Sequence, residues 1–350
     1  MLFTIVTIFC VTFFFLSAFT GGKSWRETRE LFYGKYYAED GLINDTDKPN
    51  TREAFQHCIA NGIGIKTEVY ITNDNRLAIS KFDDLSKEYG VDKKITESDM
   101  DELTELGILT ISELIDMVDN KLPVILELKG SNKNETMCRN TADIIKASKK
   151  NNIAVASFNG ALLSWFKERE KNIFRGIISA PAKDFVSLSP LQAWVTGNLA
   201  NNINCRPNFM LYRNKPMSIF VKFAATSGVL KGVWTIDTQE EATRLEEEKE
   251  LIVVRGFMPD KVHFKDMPAA PVQQAPQGKM AQQPARQRKI SEILADDDEE
   301  IATQDGVFDD LETDVEKFFG IVDDEVSEIV EDVKEEVKEL VEEIKDKIDD

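Results

Sequence analysis

Five side chains in three short stretches have the types and spacing to act on an anion. Lys66 and Glu68 lie in GIGIKTEVYITND, Glu127 and Lys129 in LPVILELKG, and Lys81 in LAISKFDDL. Residues i and i+2 of a strand point to the same face, so each of the first two stretches offers a paired acid and base. Carboxylates so placed can hold a hard cation such as Mg²⁺ or Ca²⁺, which makes Glu68 and Glu127 the candidate metal ligands. Lysines gather phosphate, so Lys66, Lys81 and Lys129 are the candidate anion-binding groups. The two roles conflict at Lys66. A like charge at ~4 Å costs about 4 kcal/mol at an effective dielectric of ~20. Lys66 is therefore expected to pair with Glu68 or Glu127 and to supply the cation's charge itself. No cofactor is then needed, and Mg²⁺ or Ca²⁺ enters only if the carboxylate site survives. Proton transfer near neutral pH favours histidine, and the chain has only His57 and His263. His57 falls on a helix whose apolar stripe is Ala54, Phe55, Cys58 and Ile59, and His263 lies past the last strand. Neither is expected in an active cleft.

Strands that end at one mouth would bring such residues together. Strand signals occur at 31–34, 63–72, 77–80, 123–129, 153–158, 174–179, 209–212, 232–236 and 251–254. Helical patterns fall between most of them. NTREAFQHCIANG opens on a capping residue and closes on Asn61-Gly62. LTISELIDMVDNK has a threonine cap with a glutamate three residues on, which makes a capping box. TQEEATRLEEEKE places its acids at the start, as a helix N-terminus prefers. Strand and helix alternating in this way predict a TIM-type (β/α)8 barrel over a doubly wound sheet. No glycine-rich phosphate loop follows the first strand, which argues against a nucleotide-binding unit.

The flanks differ from this body. Residues 1–22 carry no charged side chain and are long enough, at about 1.5 Å per residue, to span a bilayer core of about 30 Å. They read as a single transmembrane helix, with a signal segment as the alternative. Lys23, Arg26 and Arg29 follow, a bias that places a single-pass protein's body in the cytoplasm. The three cysteines beyond Cys10 (Cys58, Cys138 and Cys205) are widely spaced and read as reduced thiols. The net charge of −19 belongs to the tail: residues 291–350 hold 26 Asp and Glu against 5 Lys, and residues 1–290 hold 36 acids against 38 bases. No basic stripe is present to neutralise phosphates, so nucleic acid is not an expected partner. The expected organisation is an anchor at 1–22, a barrel at 23–265, a Pro/Gln-rich then acidic linker at 266–307, and an acidic amphipathic helix at 308–350. Val326, Val330, Val333, Val337, Leu340 and Ile344 form an a/d seam in that helix. Residues 322–348 are thus expected to engage a protein partner or a second copy.

Taken in order, these landmarks resemble the glycerophosphodiester phosphodiesterase family, TIM barrels that hydrolyse phosphodiesters. LFYGKYY stands for the family's His-Arg-Gly, PNTREAF for its Glu-Asn-Ser/Thr helix start, and IKTEVYITND for its Glu-x-Asp strand and turn. LAISKFDDL stands for a His-Asp pair and LPVILELKG for the Glu-x-Lys strand. The resemblance implies two histidines as general acid and base and a carboxylate-held Mg²⁺ or Ca²⁺. On this chain the first histidine position falls on Phe32 and its arginine on Tyr33. The second histidine falls on Lys81, and its aspartate on Phe82. Pro49, Lys66 and Glu68 replace further acids. Glu127 and Lys129 are kept, with Asn50 and Trp234 in support. The expected function is a membrane-anchored, catalytically inactive barrel serving as a binding or scaffold module, with the acidic helix for protein interaction. The alternative is an active metal-dependent phosphodiesterase of lipid metabolism, with Glu68 and Glu127 on the metal and Lys81 or Tyr33 as proton donor.

Overall fold

The computed structural model describes residues 21–22, 26–43 and 48–268. The expectations for a transmembrane helix before residue 21 and for the tail beyond 268 lie outside the described residues. Among the described residues, no helix is long and apolar enough to cross a membrane.

Eight parallel strands close into a barrel: β1 Lys35–Glu39, β2 Gly64–Ile71, β4 Val124–Leu128, β5 Ile153–Ser157, β6 Phe174–Ser179, β7 Phe209–Arg213, β8 Leu230–Ile236 and β9 Leu251–Val254. β1 pairs with both β2 and β9, which completes the ring. β3, Leu77–Ile79, is an antiparallel addition to the free end of β2. Helices α1 Arg26–Phe32, α2 Arg52–Asn61, α3 Ile111–Val118, α4 Asn134–Ser148, α5 Gly160–Arg169, α6 Pro190–Gly197, α7 Ile219–Thr226 and α8 Gln239–Leu245 accompany the strands. The expected caps are present. Thr110 and Glu113 make a reciprocal capping box at α3, while Thr51 and Thr238 cap α2 and α8. The barrel expected from strand–helix alternation is the fold observed.

The alternation along each strand divides the core in two. Ile65, Val69, Leu126, Val155 and Ile177 face outward to the helices, joining Phe55, Leu114, Ile145 and Phe166. Tyr37, Ile125, Ala154, Ala156, Phe174, Phe209, Leu230 and Leu251 fill the lumen. Gly176 has no side chain because the Phe209 ring occupies that space: a Cβ there would come 2.1 Å from the ring. Cys58, Cys138 and Cys205 are buried and free.

One expected strand is corrected. Residues 31–34 are not the first strand: Leu31 and Phe32 end α1, Gly34 turns at φ 66°, and β1 begins at Lys35. An apolar run of this length fits a strand or the end of a helix equally well. Here the run closes the barrel floor. Phe32 is fully buried and stacks on Phe174 at 4.8 Å, and Phe174 stacks on Phe209 at 5.3 Å.

Candidate functional site

The mouth is the end where the parallel strands finish, and its charged side is set by register. Lys66 lies beside Glu39 of β1, and Glu68 beside Glu127 of β4. Side chains two apart share a face, so Glu39, Lys66, Glu68, Glu127 and Lys129 all point into the lumen. Lys66 Nζ lies 2.5 Å from Glu127 Oε2, 3.1 Å from Glu68 Oε1 and 3.4 Å from Glu39 Oε1. Lys129 pairs with Glu127 and lies 3.8 Å from Glu68. Lys81 bonds Asp40 at 2.9 Å. Thr235 donates to Glu39 at 2.8 Å, and Arg255 approaches the same carboxylate at 3.7 Å. Asp40 itself is buried at φ 62°, with Asn50 donating to its carboxylate.

Burial sets the protonation of this cluster. Burial opposes the charge on Lys66, but the carboxylates of Glu127, Glu68 and Glu39 outweigh it and hold the ammonium well above its usual range. Burial likewise opposes ionised Glu127, and Lys66 with Lys129 overcomes it, so Glu127 is lowered. Glu68 goes the other way. Burial, reinforced by a hydrogen bond to Asp40 and by the charges of Asp40 and Glu127, raises it well above the carboxylate range despite Lys66. Asp40 is lowered: the Glu68 bond and the charges of Lys66 and Lys81 outweigh its own desolvation. Glu68 Oε2 is buried without a hydrogen-bond partner, an environment that disfavours a charge on this carboxyl.

The opposite side of the mouth is aromatic. Phe158 packs edge-on against Phe185 at 6.0 Å and Trp234 at 5.6 Å, and Trp234 Nε1 donates to Ser179 O at 3.1 Å.

Three of the predicted lysines and both predicted carboxylates do converge. Lys66 is only 3 % exposed and beyond a ligand's reach, whereas Lys81 and Lys129 each keep 27 % and border the opening. Phe82 is 41 % exposed on the rim, its ring 6.0 Å from Lys81 Nζ. Phe32 and Tyr33 are misplaced by the sequence comparison: both lie on the barrel floor, and Tyr33 cannot serve as proton donor in the mouth. The first strand ends instead in Glu39-Asp40-Gly41. Those two acids were not anticipated, although paired acids before a glycine at a strand end are a readable signal. His57 sits on α2 outside the barrel, and His263 bridges to Lys35 at the floor.

A divalent ion does not fit this arrangement, because the Lys66 ammonium stands where the three carboxylates meet. Among the described residues, no group of three or more His, Cys, Asp or Glu is arranged to hold a metal.

No family model and no curated protein matches the chain. Solved structures do match its backbone. A phosphodiesterase from Oleispira antarctica, solved with its product sn-glycerol-3-phosphate, is 18% identical with a TM-score of 0.54, covering 64% of this chain and 93% of that one. A glycerophosphodiester phosphodiesterase from Thermotoga maritima is 21% identical with a TM-score of 0.50, covering 63% and 93%. The resemblance read from the motifs and the likeness of these backbones agree: the chain has the barrel fold of the glycerophosphodiester phosphodiesterases.

Proposed function

We propose that the chain is a membrane-anchored, catalytically inactive relative of these barrels that works as a binding or scaffold module. Residues 1–22 tether it, its body lies in the cytoplasm, and residues 322–348 engage a protein partner or a second copy. The observation that carries this reading is the position of Lys66 Nζ, within 3.4 Å of carboxylates from β1, β2 and β4. A buried ammonium satisfies those acids permanently, and no imidazole stands beside it to move a proton. Lys81 and Lys129, partly exposed at the opening, are the groups left to attract an anionic ligand.

Calorimetry on the full chain with Mg²⁺ and Ca²⁺ tests the reading. No binding is expected for the parent, and Lys66→Ala should acquire it, because the freed carboxylates then lack a counter-ion. Micromolar affinity in the parent would overturn the inactive reading. Glycerophosphocholine and bis(p-nitrophenyl) phosphate should remain uncleaved.

One observation favours a second reading, a slow phosphodiesterase. Glu68 keeps its proton well above the usual carboxylate range and would act as general acid. It requires turnover that Glu68→Gln abolishes.

A further inference from the structure

Five of the large apolar side chains exposed on the described surface gather on one side of the barrel, around α6 and α7. Val186 is 93 % exposed, Ile219 76 %, Leu191 51 %, Trp194 42 % and Leu188 38 %. The two helices are joined where Trp194 of α6 packs edge-on against Phe220 of α7 at 5.7 Å. Monomeric soluble surfaces rarely leave so many large apolar groups contiguous and open. Cations frame the face: Lys183, Arg213 and Lys222 are exposed, and Lys215 is half-buried. Asp184 is neutralised by Lys215 at 2.8 Å and Arg213 at 2.9 Å, and Glu248 lies among Arg213, Lys215 and Lys222, so cations outnumber acids here. The face is therefore apolar with a cationic border, the combination that seats in a bilayer interface carrying anionic headgroups.

A second, independent observation selects the same side. The chain enters the described structure at the base of α7. Gly21 N donates to Ser227 Oγ at 2.9 Å, Gly22 N to Pro207 O at 2.7 Å, and Arg29 to Gly228 O at 2.7 Å. Gly21 is packed so closely that a Cβ would lie 1.9 Å from Val229 Cγ1. Gly21 thus meets the barrel at the floor-side end of α7, on the same flank as these residues but at the opposite end of the helix from Ile219.

We infer that the α6–α7 face is a membrane-docking surface, lying on the anionic headgroups of the bilayer that holds residues 1–20. The inference rests on the membrane reading proposed above and adds an orientation to it: the barrel lies on its side, with α2 and α3 turned away from the lipid.

The test uses the full chain reconstituted in vesicles of phosphatidylcholine and phosphatidylserine. An environment-sensitive fluorophore is attached to a single introduced cysteine at Ile219, or at Gln56 on the far side, in a Cys10→Ser background. The label at 219 should shift to the blue and be quenched by lipid-borne spin labels, whereas the label at 56 should do neither. Val186→Asp together with Trp194→Asp should remove the 219 shift while flotation with vesicles persists. Flotation without a shift at 219, or equal shifts at both positions, overturns the docking face and leaves the anchor intact. A shift at 219 that needs no vesicles overturns it in favour of a protein partner. Failure to float at all removes the membrane reading and the inference with it.

Discussion

At the scale of single residues, the mouth is a charge cluster whose members are driven apart in protonation. Glu127 is lowered by Lys66 and Lys129, so its contribution is present above the ordinary carboxylate value of 4.5 and is lost on acidification. Glu68 is raised by burial and by Asp40. Above 4.5 the unfolded chain releases a proton that folded Glu68 retains, so this group lowers stability as the pH rises towards its folded value. Each unit of such a shift is worth about 1.4 kcal/mol. Glu68→Gln keeps the shape and a donor for Asp40 but has no proton to retain. Its melting temperature should match the parent's near pH ~4, where Glu68 is protonated in both states, and should exceed it increasingly towards pH ~8. Melting curves across that range decide the matter, and a gap independent of pH would mean that Glu68 is ionised in the folded chain. The pairing of Lys66 with Glu68 and Glu127 was legible from the i, i+2 spacing. The contribution of Glu39 and Asp40 was missed because the first strand was placed at 31–34 and not at Lys35–Glu39, although the closing Glu-Asp-Gly of LFYGKYYAEDG marks a strand end.

At the scale of elements, the same misplaced strand moved Phe32 and Tyr33 from the floor to the mouth. Strands such as Phe174–Ser179 and the β-branched run Leu251–Val254 were read with correct ends. Between Arg26 and Glu39, the chain passes from a short helix to a strand through one glycine turn. Aromatic residues occur on both sides of it, so composition does not mark the change. The consequence is measurable. Phe32, buried against Phe174 and Phe209, is part of the lumen core. Phe32→Ala should therefore cost about 3–5 kcal/mol, the range for a buried aromatic ring, and appear as a lower denaturant midpoint with unchanged slope. A residue at the solvent-exposed mouth would change stability by no more than about 0.5 kcal/mol, so a near-neutral result would return Phe32 to the place the motif comparison gave it.

At the scale of the whole molecule, every strand needed for closure lies between residues 35 and 254, while the chain's acidity lies beyond residue 290. The barrel was legible because alternation of strand and helix is repeated eight times, so a single misplaced strand leaves the pattern intact. The heptad spacing proposed for pairing does not fix the partner, but the charge of the tail restricts the possibilities. A seam of Val326, Val330, Val333, Val337, Leu340 and Ile344 favours helix pairing, whereas 26 acids against 5 lysines in residues 291–350 oppose pairing with a like copy. Salt weakens such repulsion, since the Debye length falls from about 10 Å at ~0.1 M to about 3 Å at ~1 M. Self-association through residues 322–348 should therefore strengthen as salt is added, whereas capture of a basic partner should weaken. Sedimentation velocity of the full chain and of a chain lacking 322–348, at low and high salt, separates the two. The deletion should abolish association and leave the barrel's melting transition where it was. Identical sedimentation of both chains at every salt concentration, with no partner retained by either, would remove the tail from the interaction role.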